Sequence, residues 1–205
     1  MTPRYSNGFW RGVAVFLLLA LVISPANVLN VRAQTGVYTR ASVDSNEMQA
    51  NAMSYRGKIS ANGRFVAFDS EADNLVVGDM NGHGDVFLRD LQLGTTTLVS
   101  ADAGGGQANG GSGAPVISAD GRYVAFESGA TNLISTPDSN GFTDIYVKDT
   151  QTGAVTRASL SSTIEEPNNE SEVLSISGDG RYVVFDSDAD NLVLNDTNGD
   201  RKSTR

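Results

Sequence analysis

A twelve-residue stretch, ISADGRYVAFES from Ile117 to Ser128, occurs in three versions in this chain. It reads ISANGRFVAFDS from Ile59 to Ser70 and ISGDGRYVVFDS from Ile176 to Ser187. The central glycines, Gly63, Gly121 and Gly180, are 58 and 59 residues apart. A long and nearly constant period marks an array in which one supersecondary unit recurs and covers its apolar faces with its neighbours.

The unit can be read from its composition. Arg122 to Phe126 is β-branched and aromatic without proline, which is strand composition. Tyr123, Val124, Ala125 and Phe126 are consecutive apolar residues, so the strand needs cover on both faces. Ala119-Asp120-Gly121 supplies a tight turn before it, and Pro115 to Ser118 reads as the partner strand. A second hairpin comes next: Asp144 to Asp149, a turn at TQTG, then Ala154 to Ser159. In the first repeat it is Asp85 to Asp90, LQLG, then Thr95 to Ser100. Each repeat is therefore four antiparallel strands, and a four-stranded sheet that is apolar on both sides stacks radially on its copies as a β-propeller blade. The alternative, a β-sandwich, rarely repeats at such a period.

The ends of the chain carry further expectations. Arg4 and Arg11 precede an apolar run, Val13 to Ile23, too short for a comfortable membrane span. Val31-Arg32-Ala33 resembles a small-residue cleavage site, so residues 1–33 read as a signal peptide with Gln34 as the mature start. An uncleaved anchor is the alternative; either places the repeats outside the cytoplasm, with no membrane span once the signal is cleaved. The 34–205 remainder is expected to be a partial propeller with repeats at approximately 43–100, 101–159 and 160–205. Val37 to Ser42 (VYTRAS) matches the fourth strand of a repeat (VTRAS, Val155 to Ser159) but stands alone, as in propellers whose first strand completes the last blade. After Gly199 the third repeat stops matching. The expectation is thus an all-β, incomplete propeller of two full blades, a half blade and one orphan strand, belonging to a longer protein.

Charge and cysteine content exclude some functions. The chain has 15 Lys and Arg against 24 Asp and Glu. Without Arg4, Arg11 and Arg32 the mature chain keeps 12 basic residues, a net charge of −12. This argues against nucleic acid and anionic membranes as partners and is compatible with cations. Having no cysteine, the chain has neither disulfides nor thiol chemistry.

The chemically suggestive loops are DMNGHGD (Asp79 to Asp85), DSNGFTD (Asp138 to Asp144) and DTNGDRK (Asp196 to Lys202). Oxygen donors at this spacing around a glycine suit Ca²⁺. The candidate ligands are Asp79, Asn81 and Asp85; Asp138, Asn140 and Asp144; and Asp196 and Asn198. A full calcium loop has one more acidic ligand, at the place held here by Val77, Thr136 and Leu194, and Lys202 replaces the last aspartate of the third loop. The structural alternative is an Asx turn, with Asp85 or Asp144 holding the backbone of the next strand. Three Asn/Ser pairs, Asn51/Ser54, Asn109/Ser112 and Asn168/Ser171, are expected to shape loops. His83, the one histidine, reads as an exposed loop residue. The sequence holds no GxSxG, HExxH or cysteine nucleophile, and carboxylates that recur in every repeat point to scaffold rather than catalysis.

At SADGRYVAFES, ATNLISTPDSNGFTDIYVKDTQTG and TRAS the chain resembles the TolB-like, WD-like β-propeller repeats of exported bacterial proteins. The resemblance spans 37–199 and implies a binding or assembly role. The expected function is a non-catalytic extracytoplasmic module with a protein or glycan partner. Two alternatives stand beside it: a regulatory propeller of a larger secreted hydrolase, and a calcium-stabilised surface module. Fold alone does not choose between them.

Overall fold

The computed structural model describes residues 38–194 and a strand at 202–204. The expected leader, and Val37, lie outside the described residues. No helix among the described residues is long and apolar enough to cross a membrane.

Among the described residues of the unit Thr39–Arg205, eleven strands form three antiparallel sheets. The first is β1 (Ser54–Ile59), β2 (Phe65–Ser70), β3 (Asp85–Asp90) and β4 (Thr95–Leu98), paired in chain order. The second repeats it with β5 (Ser112–Ile117), β6 (Tyr123–Ser128), β7 (Asp144–Asp149) and β8 (Val155–Arg157). The third holds β9 (Ser171–Ile176), β10 (Val183–Ser187) and β11 (Lys202–Thr204). It therefore has three strands where half a blade was expected, because 202–204 pairs with Ser187 to Phe185. Register repeats as well: Phe68 faces Phe87 across β2 and β3, and Phe126 faces Tyr146 across β6 and β7.

The sheets stack. β5 lies against β1, β2 and β3, and β9 lies against β5, β6 and β7. This is the arrangement of propeller blades, open rather than ringed among the described residues. Ala67, Val86 and Leu88 of the first sheet, with Val99 just after it, meet Val124, Phe126 and Tyr146 of the second and Leu133 of the loop between β6 and β7. Ala125 and Ile145 on the other side of the second sheet meet Val173, Val183, Phe185 and Leu192. Phe68, Phe126 and Phe185, at 3%, 0% and 2% exposure, occupy one repeated environment. Consecutive apolar residues of the second sheet are thus buried because it has a neighbour on both sides, while the outer face of the first, Phe68 and Phe87, is covered by Ala72, Leu75 and their own loops.

Two glycines serve the stack as well as the turn. Gly121 and Gly180 have φ of +80° and +73°, and a Cβ there would meet the rings of Phe65 and Tyr123 at 2.2 and 2.1 Å. The hairpin turns also bond to each other: Ala61 N–H donates to Ala119 O and Ala119 N–H to Gly178 O, each at 3.0 Å.

The described part of the lone-strand segment, 38–42, is not in a strand. It has the sequence of a fourth strand, but a strand needs a paired neighbour to satisfy its backbone groups, and none pairs with it among the described residues. The loop directly after it keeps the repeat geometry: the bridge Val43–Gln49 recurs as Ala101–Gln107.

Candidate functional site

The Asp-x-Asn-Gly-x-x-Asp loops join the second strand of each full sheet to the third. Asn81 Oδ1 accepts the N–H of His83 (2.9 Å), and Asn140 Oδ1 that of Phe142 (2.8 Å). These are Asx turns, and Gly82 and Gly141 complete them at φ +70° and +74°. The asparagine amides point inward. Asn81 Nδ2 donates to Asp85 Oδ2 (2.7 Å) and to Ala108 O (3.2 Å). Asn140 Nδ2 donates to Asp144 Oδ2 (3.1 Å) and Pro167 O (2.9 Å).

The final aspartates are fully buried. Ser100 Oγ donates to Asp85 Oδ1 (2.6 Å) and accepts Val86 N–H (3.0 Å). Ser159 does the same between Asp144 (2.5 Å) and Ile145 N–H (3.0 Å). A carboxylate and a hydroxyl thus lock the start of the third strand to the end of the fourth. Burial pushes Asp85 above the ordinary carboxylate range and Asp144 up to about 6, against the pull of the serine bonds. Burial, reinforced by the charge of Asp85, also raises Asp79.

The two loops differ in one respect not foreseen in the sequence. In the second, the Arg157 side chain is buried beside three carboxylates: Glu166 at 2.6 Å, Asp144 at 3.6 Å and Asp138 at 3.7 Å. Its guanidinium also lies over the Tyr146 ring, 5.6 Å from the centroid. In the first loop the matching position is Leu98 and Gln107 takes the place of Glu166. Gln107 Nε2 donates to Gly78 O (3.0 Å) and to Asp79 Oδ1 (3.4 Å). The signal was present: TRAS carries an arginine where TLVS carries leucine, and an arginine among buried strand residues needs acids around it.

The structure therefore brings Asp79, Asn81 and Asp85 together, and likewise Asp138, Asn140 and Asp144. Asp196 and Asn198 lie outside the described residues. No group of three or more His, Cys, Asp or Glu poised for a metal is found among the described residues. The asparagines turn donors, not oxygens, toward the final aspartates, and Arg157 places a permanent cation beside the second set.

The Asn/Ser pairs shape loops. Asn51 Nδ2 donates to Asp73 (2.6 Å), Asn109 Nδ2 to Thr131 (2.8 Å) and Asn168 Nδ2 to Asp190 (2.6 Å). Ser54, Ser112 and Ser171 bond to Ser70, Ser128 and Ser187 at 2.9, 2.8 and 3.0 Å. His83 is exposed.

No family model matches the chain, and no curated protein matches it in sequence. Among solved structures, TolB from Acinetobacter baumannii is 21% identical with a TM-score of 0.43, over 76% of this chain and 33% of that one. A putative TolB from Agrobacterium tumefaciens is 18% identical with a TM-score of 0.46, over 75% and 49%. An acylaminoacyl peptidase is 18% identical with a TM-score of 0.39, over 66% and 17%. The chain spans a third to a half of the TolB structures it matches. These similarities are of fold, and the blade assignment rests on the sheets themselves.

Proposed function

We propose that the chain is a non-catalytic β-propeller module that acts outside the cytoplasm and binds a protein or glycan through the loops joining its strands. The main support is the fate of the hydroxyl–carboxylate pairs. Ser100–Asp85 and Ser159–Asp144 are the arrangements closest to an activated nucleophile, yet all four residues are fully buried. Each serine oxygen is already occupied by a backbone N–H, which leaves no approach for a substrate. The loops meanwhile expose large apolar side chains, among them Met48 at 63% and Met80 at 85%, which suits a macromolecular partner. Location outside the cytoplasm is supported by the basic and apolar leader. The test is fractionation of cells expressing the full chain or a chain lacking residues 1–33. Export with a mature mass starting at Gln34 is expected for the first only; retention of the full chain in the cytoplasm overturns the reading.

A second reading, Ca²⁺ at the first loop, is favoured by the mutual repulsion of Asp79 and Asp85, which a cation would relieve where Arg157 has no counterpart. Calorimetry decides it. A rise in Tm with millimolar calcium that Asp79→Asn abolishes is expected; no shift ends this reading.

A further inference from the structure

An arginine stands just before the second strand of each full sheet, and an aspartate ends the third. Arg64 Nε and Nη2 donate to Asp90 at 3.0 and 2.6 Å; Arg122 Nε and Nη2 donate to Asp149 at 3.1 and 2.7 Å. In such two-armed pairs the fork of the guanidinium fixes its own plane. Each guanidinium also lies over the ring that follows it, Phe65 or Tyr123. The Arg64 bond holds Asp90 down to about 2, so that pair stays ionised at neutral pH.

A cleft of about 330 Å³ opens between the first two sheets, both of which have all four strands. Its walls bring the two arginines together with Asp120, Thr95 and Gln151, while Phe65 and Leu88 supply apolar surface. Such a volume lies at the small end of ligand cavities. Several polar groups of the cleft are unused among the described residues. Nη1 of each arginine has no hydrogen-bond partner, since Nε and Nη2 carry the ion pair. Asp120 Oδ1 accepts Ser118 Oγ–H (2.6 Å) and Arg122 N–H (3.0 Å), which leaves Oδ2 open. Thr95 and Gln151 bond through their backbones, and their side chains make no hydrogen bond.

The charges narrow the choice of ligand. Asp90 cancels Arg64, Asp149 cancels Arg122, and Asp120 adds one negative charge, so an anion gains nothing here. A simple cation would sit beside two guanidinium groups and one open carboxylate oxygen. A peptide strand meets a covered edge, because Thr96 N–H of β4 already donates to Ser45 Oγ at 3.0 Å. What remains is a set of separate donors and acceptors beside apolar surface. Hydroxyls, which both donate and accept, on a ring with a C–H face match that set. We infer that this cleft binds a neutral saccharide. Its hydroxyls donate to Asp120 Oδ2 and accept from the open arms of Arg64 and Arg122. Thr95 and Gln151 add bonds of either sense, and the C–H face lies on Phe65 and Leu88. The ion pairs hold both arginine arms in place before the ligand arrives, which lowers the cost of ordering them. This deepens the proposed binding role, on which it rests, by choosing glycan over protein.

The probes are maltose, cellobiose, lactose and N,N′-diacetylchitobiose, each titrated into the full chain and followed by saturation-transfer NMR. Saturable millimolar binding of at least one is expected. Thr95→Ala and Gln151→Ala are each expected to weaken it about three- to tenfold. Thr95→Ala copies Ala154 of the second repeat, and circular dichroism checks that both variants keep the fold. Leu93→Ala, at an exposed position outside the cleft, is expected to change nothing. The uronate form of the bound disaccharide is expected to bind more weakly than the neutral form; equal or tighter binding overturns the inference. So does the absence of saturable binding of all four sugars at tens of millimolar, or binding that neither cleft variant weakens. A tetra-alanine peptide that binds at these residues while no sugar does overturns it as well. Each of these failures leaves the propeller module and its export standing, since fractionation tests those without any sugar.

Discussion

Arg157 and Asp144 show what one repeat position can change. A guanidinium whose side chain is 2% exposed is stable there only because Glu166, Asp144 and Asp138 surround it. Arg157→Leu copies the residue found in the first repeat, but leaves those acids uncompensated. Urea denaturation at neutral pH is expected to show a loss of about 3–5 kcal/mol. Asp144 adds a pH dependence. The folded chain holds its proton up to about pH 6, whereas the ordinary value is 3.8. The contribution of Asp144 to stability is therefore full below pH 3.8 and is lost as pH rises toward about 6. Asp144→Asn is expected to flatten that part of the Tm-against-pH curve; an unchanged slope would assign it to other buried acids. Asp90 works in the opposite sense. The Arg64 bond holds it down to about 2, so its stabilisation is present above pH 3.8 and is lost as pH falls toward 2. The acidic loops were legible as a pattern. The arginine stands out in TRAS against TLVS, but its three acid partners do not, because only packing shows which carboxylates a buried strand residue meets.

At the scale of the element, the hairpin before each second strand carries two kinds of information. Asp-Gly or Asn-Gly with strands on either side specifies a tight turn, and Gly63, Gly121 and Gly180 all have positive φ. Their surroundings differ. A Cβ at Gly63 would have nothing within 4 Å, whereas one at Gly121 would meet Phe65 at 2.2 Å. Gly63→Ala is expected to cost about 1–2 kcal/mol from backbone strain alone. Gly121→Ala adds about 1–3 kcal/mol of overpacking. Chemical denaturation of both variants checks this, and equal losses would show that the ring moves aside freely. The turn was readable from the dipeptide. The close approach was not, since it joins residues 56 positions apart in the chain.

For the molecule as a whole, the three phenylalanines test the stack. Phe126 lies between two sheets at 0% exposure and stacks on Tyr146 with centroids 6.1 Å apart. Phe126→Ala is expected to cost about 3–5 kcal/mol in urea denaturation. A loss below about 1 kcal/mol would mean that the sheets do not depend on each other. What the sequence alone determined is the local unit: period, strand composition, turn chemistry and the need for cover on both faces. Each of these is set by neighbours within one repeat. The tertiary structure decided what happens between repeats. It pressed Phe65 and Tyr123 onto glycines of the following hairpin, buried Arg157 among acids from separate loops, and left 38–42 outside any strand among the described residues while drawing 202–204 into the third sheet. Those outcomes depend on which surfaces meet across some sixty residues of chain, and periodicity within a strand carries no record of that meeting.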